Sequence, residues 1–245
     1  MGFTRAARYR WRHAASPEDI AAAQALRHRA FRGGDGTERD ADAFDAICTH
    51  VLVEDLRTGA LVCCFRILPL AHGGEIGRSY SAQHYGLSAL SAYPGRMIEL
   101  GRFCVAPGVS DPDVLRVAWG AVARLVEDTG VEMLFGCSSF RGTDALSYAD
   151  AFAMLKAHHL APPRWLPQVK APDVFRFARR LRRAPDVRRA LLTMPPLLRS
   201  YLAMGGWVSD HAVVDRDLNT LHVFTGLEIG AIPPARARAL RALAG

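Results

Sequence analysis

The run Met97-Ile98-Glu99-Leu100-Gly101-Arg102-Phe103-Cys104-Val105-Ala106-Pro107, MIELGRFCVAP, decides how the chain is read. Most of it has the composition of a buried strand, yet Glu99 and Arg102 stand in its middle. A buried charge is costly unless it is paired, hydrogen-bonded or used. Strand alternation places Met97, Glu99, Gly101, Phe103 and Val105 on one face and Ile98, Leu100, Arg102 and Cys104 on the other. Unless a bulge intervenes, the two charges point apart and each needs its own partner. Either they belong to a structural ion network with Arg66 or Arg27, or they serve a reaction. Burial of a carboxyl group brings it toward the range in which it can abstract a proton near neutral pH.

The elements around this strand define the fold class. After it, DVLRVAWGAVARLVEDTG has Val114, Val117, Ala118, Ala121, Val122 and Leu125 at helical spacing, closed by Gly130. VEMLFGCSSF is a strand again. Strand, helix and strand in that order predict a parallel pair with a right-handed crossover. Before it, HVLVED and ALVCCFRIL flank a Thr-Gly turn and predict a hairpin. SPEDIAAAQALRHRAF opens with a capping Ser16, then Pro17, Glu18 and Asp19, and predicts a helix with Ile20, Ala23, Leu26 and Ala30 inward. Arg27 and Phe31 share another face of it. A helix is expected from about Thr143 to His158, two late strands in HAVVD and LHVFTGL, and a short C-terminal helix. The class is α/β: a mixed central sheet with an antiparallel front half and one parallel β-α-β crossing, flanked by helices. It is read as one domain over 1–245 with a basic helical insertion at about 164–204, broken by Pro185 and Pro195-Pro196.

Composition narrows the function. Half of the 245 residues are hydrophobic, but no apolar run reaches the roughly 18–20 residues of a membrane span. The N-terminal MGFTRAARYRWRHAASPED has no apolar h-region and no myristoylation pattern, so a cytoplasmic protein is expected. Five cysteines without a Cys-x-x-Cys pair, and nine histidines without ligand spacing, argue against a disulfide framework and against a metal. The net charge of +7 comes from one segment. Arg164 to Arg199 holds ten Arg/Lys against two Asp, and the rest of the chain 21 against 22. An acidic partner facing that segment is implied: an anionic membrane surface, nucleic acid or an acidic protein.

Two motifs are tested and set aside. The turn APGVSDPD after the Met97 strand has one glycine and two prolines, and cannot wrap a pyrophosphate in backbone N–H groups. GCSSFRGTD lacks the second glycine of a nucleophile elbow and reads as a strand end followed by a helix cap. The acidic run ERDADAFD, with Glu38, Asp40, Asp42 and Asp45, is either a solvated loop or a site for a cationic small molecule.

In order, ALRHRAF, DADAFD, HVLVEDLRTG, FRIL, SYSAQHYGL, IELGRFCVAP and GCSSFRGTD resemble the bacterial ornithine–acyl-carrier-protein N-acyltransferases, as does MPPLLRSYLAMGGWVSDHAVVDRDLNTLHVF near the C-terminus. The resemblance spans about Ala25 to Phe224 and implies a GNAT-like fold related to the acyl-homoserine-lactone synthases. It implies transfer of a 3-hydroxyacyl group from acyl carrier protein to the α-amino group of L-ornithine, the first step of ornithine-lipid synthesis. No separate cofactor is expected, because the phosphopantetheine arm arrives with the donor. The positions that match the family pattern are Arg27, Phe31, Asp42, Asp45, Arg66, Glu99 and Arg102. Glu99 is the candidate base, with Arg102 beside it in the catalytic motif. Backbone N–H groups around Phe103 to Val105 are candidates for the oxyanion. Asp42 and Asp45 would hold the ornithine ammonium or brace the arginines. Arg27, Arg66 and Arg102 would hold the carboxylate or organise the acidic groups. An apolar slot for the acyl chain is expected where the parallel strands splay. Arg176, Arg179, Arg180, Arg182 and Arg183 would dock the acidic carrier protein or rest on anionic lipid at the inner membrane; nucleic acid is not expected. The alternatives are a related transferase for glutamine, lysine, glycine or a homoserine-lactone product, and a non-catalytic basic protein binding membrane or nucleic acid.

Overall fold

The computed structural model describes residues 8–34 and 37–244. The first seven residues, on which the secretion and myristoylation expectations bear in part, lie outside them. In chain order the elements are β1 (Tyr9–His13), α1 (Pro17–Phe31), β2 (Thr49–Asp55), β3 (Leu61–Leu70), α2 (Ser81–His84), β4 (Tyr85–Gly86), β5 (Met97–Val105), α3 (Pro112–Thr129), β6 (Met133–Arg141) and α4 (Ala149–His158). They continue with β7 (Gln168–Val169), β8 (Val174–Phe175), α5 (Phe177–Arg180), α6 (Val187–Thr193), α7 (Pro196–Ala203), β9 (Trp207–Val208), β10 (Ala212–Asp215), β11 (Thr220–Glu228) and α8 (Pro234–Ala244).

These elements form two compact units. The first takes the described residues of Met1–Leu68, Gly101–Gly130 and Ala237–Gly245. Its strands run in the order β1, β2, β3 and the second half of β5. The predicted hairpin is there, β2 pairing antiparallel with β3 from Thr49↔Ile67 to Glu54↔Leu61. Its turn closes with the Gly59 N–H donating to the Asp55 carbonyl, at a φ of +72° that favours glycine. Ser16 caps α1 as expected, accepting from the Asp19 N–H. Ala23 and Leu26 bury their side chains against Leu52, Cys64 and Cys104. Strand β1 was not visible in the sequence. Its residues, Tyr-Arg-Trp-Arg-His, alternate aromatic and charged side chains, but over only five residues beside a basic N-terminal run. It holds to β2 through its ladder and through Arg10 and Arg12 on Glu54.

The second unit takes Pro69–Leu100 and Val131–Arg236. Its strand order is the first half of β5, then β6, β11, β10 and β8, with β9 paired to β11 and a separate β4–β7 pair. The β5–β6 pair is parallel, as the strand–helix–strand order requires, and runs from Met97↔Met133 to Leu100↔Gly136. There it stops, while β6 continues antiparallel to β11 over nine residues. A side chain at Gly136 would place Cβ 2.4 Å from the Leu100 carbonyl oxygen, so the last rung needs glycine. Helices α4, α6 and α7 bury Phe152, Ala190 and Leu198 against Phe140, Phe177 and Val223. The sheet is thus mixed, mostly antiparallel with one parallel pair, and flanked by helices.

Candidate active site

Three arginines and three aspartates meet in the first unit. Arg27, 1% exposed, places Nη1 and Nη2 on the two oxygens of Asp45, each at 2.8 Å. Its Nε lies 3.1 Å from Asp40, whose carbonyl oxygen also accepts from Arg27. Arg66, 3% exposed, donates to Asp42 at 2.5 and 2.8 Å and to Asp45 at 2.7 Å. Arg102 donates from Nε to Asp40 at 3.0 Å and from Nη2 to Asp42 at 3.3 Å. Gln24 adds a hydrogen bond to Asp45. The forked geometry of arginine lets each guanidinium bridge two carboxylates, which point-like lysines could not do. Burial alone would raise the carboxyl groups of Asp42 and Asp45, but the arginines hold both below their ordinary range, Asp45 furthest. Burial likewise opposes the charge of Arg66, and the Asp42 and Asp45 carboxylates more than offset it. The sextet is neutral as a whole. Its most exposed members are Asp42, at 25% of its side chain, and Arg102, at 11%.

A bulge joins this network to β5. Arg102 has a φ of +50°, a left-handed conformation costly for a residue with a Cβ. At Gly101 a Cβ would point 3.5 Å from Arg66, and the next side chain, Arg102, reaches the same aspartates as Arg66. Two successive residues therefore face one cluster, the signature of a bulge, and strict alternation fails there. Beyond it Phe103 stacks on Phe65 at 5.1 Å, Cys104 lies 3.6 Å from Cys64, and Val105 ends the strand half-buried. Phe31 packs on the α1 core beside Ala30.

Glu99, 4% exposed, belongs to the second unit. It sits where the segment Tyr80-Ser81 turns into α2. Its Oε2 accepts from the Tyr80 N–H at 2.8 Å, and its Oε1 from the Ser81 N–H at 2.7 Å and the Ser81 hydroxyl at 2.6 Å. Three donors on one carboxylate fix its orientation. The Ser81 hydroxyl also lies 3.5 Å from the Cys137 thiol on β6. Burial raises the Tyr201 phenol and the negative charge of Glu99 adds to it, which places the tyrosine in the same surroundings.

The predicted site residues are divided between the two units. Arg27, Asp42, Asp45, Arg66 and Arg102 come together, and Glu99 has its own setting. Ser81 is the residue that sequence reasoning did not single out, and Asp40 was named only as one of the acidic run. Asp40 stood in the acidic run, two residues from Asp42; Ser81 stood in SYSAQHYGL, where a start of helix offers free N–H groups to a carboxylate. In GCSSFRGTD, Ser138 accepts from Thr225, and Asp144 caps the following turn, as a strand end and cap predict. At the start of α3, Asp111 accepts from the Asp113 N–H, the Arg8 guanidinium and the Tyr9 hydroxyl, so a carboxylate occupies that helix terminus. The five arginines expected to dock a partner take different positions. Arg176 and Arg179 line a groove of about 410 Å³ with Asp210 and Gln168. Arg180 lies over the Phe175 ring, Arg183 pairs with Asp150 at 2.7 Å, and Arg182 is exposed.

Residues 26–120 match the model of the acetyltransferase (GNAT) domain. The chain is 35% identical over 240 residues to an L-ornithine Nα-acyltransferase of Rhodobacter capsulatus, covering 91% of each protein. It is 32% identical over 238 residues to an L-ornithine Nα-acyltransferase of Rhizobium meliloti, covering 90% of this chain and 80% of that protein. Among solved structures, FeeM, an N-acyl amino acid synthase from uncultured soil microbes, shares the fold with a TM-score of 0.51 at 11% identity, over 91% of this chain and 93% of that one. Matched along nine-tenths of its length by relatives of this identity, this chain belongs to the L-ornithine Nα-acyltransferase family of GNAT-type acyltransferases.

Proposed function

We propose that the protein transfers a 3-hydroxyacyl group from the thioester of acyl carrier protein to the α-amino group of L-ornithine, giving a lyso-ornithine lipid. The observation that supports this most is the match to L-ornithine Nα-acyltransferases along nearly the whole chain. The ornithine α-ammonium loses a proton, its nitrogen attacks the thioester carbonyl, the C–N bond forms and the C–S bond breaks. The thiol of the carrier's arm leaves with a proton.

Glu99 takes the amine proton, directly or through a water. Its three neutral donors hold it in one orientation as a carboxylate, and transfer to such a positioned base contributes about 10²–10⁴-fold. Backbone N–H groups from Phe103 to Val105, past the Arg102 bulge, meet the oxyanion that develops on the carbonyl. In the sextet, Arg27 and Arg66 are engaged with carboxylates on several sides, so they act as braces. Asp42 and Arg102, the more exposed pair, are the members that meet the substrate's side-chain ammonium and carboxylate. A carrier-bound donor fits the start of α3, where Asp111 would repel a pyrophosphate drawn to that terminus. It also fits the exposed arginines around the groove of Arg176 and Arg179, since carrier proteins are acidic. No metal is needed for this chemistry.

The test is an assay of the purified chain with 3-hydroxypalmitoyl-acyl carrier protein and a panel of amino acids, beside Glu99→Gln. Acylated ornithine from the wild type alone supports the reading. Product with another amine moves the acceptor, and no product with any amine overturns it.

A further inference from the structure

Helix α6 turns apolar side chains to the outside. Leu192 is 77% exposed, Val187 56% and Leu191 46%. The opposite face carries Ala190, which together with Met194 just past the helix end is buried in the core with Phe152 and Leu198. At 100° per residue, Arg188 falls between Leu191 and Leu192 on the outermost strip of the helix. The helix is well fixed behind. Asp150 of α4 accepts from the Asp186 N–H at 3.1 Å and pairs with Arg183 at 2.7 Å and Arg189 at 3.6 Å. The two aspartates of the segment are engaged. Asp186 caps α6, and Asp173 pairs with Arg216. Among the described residues, Arg182 and Arg188 have no carboxylate partner.

We propose that Val187, Leu191 and Leu192, with Arg182 and Arg188, form a docking surface for an anionic lipid bilayer. The mixture of residues decides the partner. Arginines alone would suit any acidic partner; three exposed aliphatic side chains interleaved with them on one strip favour a bilayer. A bilayer satisfies both, because the side chains enter the headgroup boundary while arginine stems extend along the apolar layer and keep their heads at the phosphates. Only one face of α6 is available and it is short, so the surface rests on a membrane and does not cross it. This agrees with the absence, among the described residues, of any helix long and apolar enough to span. The attachment goes beyond the transferase reading and does not depend on which amine is acylated.

The test is co-flotation of the full chain with vesicles of phosphatidylcholine, alone or with phosphatidylglycerol added. Binding is expected only to the anionic vesicles and should weaken with salt. The double substitution Leu191→Ser with Leu192→Ser should lower binding at least about tenfold at constant charge, and Arg188→Glu by a similar factor. Both changes are on exposed positions, and unchanged circular dichroism and thermal midpoint would show that the fold is kept. Wild type that ignores phosphatidylglycerol, or a serine variant that binds as tightly as wild type, overturns the proposal. So does a serine variant that raises KM for the carrier protein in vesicle-free assays while binding vesicles normally, since that assigns the face to the carrier.

Discussion

Strand β5 carries two buried charges that are treated in opposite ways. Arg102 enters a lattice of three arginines and three aspartates in which each charge has ionic partners. Glu99, three residues earlier, is held by two backbone N–H groups and a hydroxyl. The first arrangement fixes shape, because removing any member leaves an opposite charge buried. The second fixes the orientation of a single carboxylate. Reading both only as buried charges in a strand would miss that one is met by opposite charges and the other by neutral donors.

The largest effect that could break this contrast is on rate. Glu99→Gln keeps size but turns its amide NH2 onto the Tyr80 N–H, so it should cost about 1–3 kcal/mol of stability while kcat falls about 10²–10⁴-fold. A loss of stability with rate preserved would reverse the assignment. Next comes Asp45→Asn, which leaves Arg27 and Arg66 short of charge. It should cost roughly 3–5 kcal/mol in denaturant unfolding, the scale of a broken buried pair. A cost below about 1 kcal/mol would make the lattice no more than a set of surface pairs. Acid gives a third handle. The folded pKa values of Asp42 and Asp45 lie below their unfolded ones, near 3.9. Their stabilisation is therefore complete above that value and is lost as pH falls through the folded one. The unfolding midpoint should be steady from about pH 5 to 7 and fall below about pH 4, and Asp45→Asn should flatten that fall. The smallest effect is Ser81→Ala, which removes one of the three donors to Glu99. About tenfold in kcat is expected, with the thermal midpoint nearly unchanged. A loss equal to that of Glu99→Gln would make Ser81 part of the proton path.

Much of this was legible in the chain. The hairpin of β2 and β3, the crossing from β5 through α3 to β6 and the cap at Ser16 follow from periodicity and turn chemistry, which are local. Arg27, Arg66, Asp42 and Asp45 were identified by their match to a family pattern, and the structure brings them together with Arg102. What escaped is what depends on distant residues. Strand β1 has a short alternating pattern, but what holds it is Glu54 and its ladder with β2. Asp40 looked like one more acid in a loop until the fold placed it on Arg27 and Arg102. Ser81 lies in an irregular stretch whose value comes only from the carboxylate it faces. Strict alternation also misled locally, because the bulge adds a residue that no count along β5 reveals.

That bulge has a consequence for how the chain folds. A glycine at 102 would adopt a φ of +50° easily; an arginine does so against its own preference. Its side chain is tied to Asp40 and Asp42, 62 and 60 residues away in sequence. The bend in β5 is therefore not a property of the strand alone. It becomes favourable only once the acidic loop has docked, so this stretch should acquire its final shape late, and hydrogen exchange within it should report on the arrival of a segment far upstream.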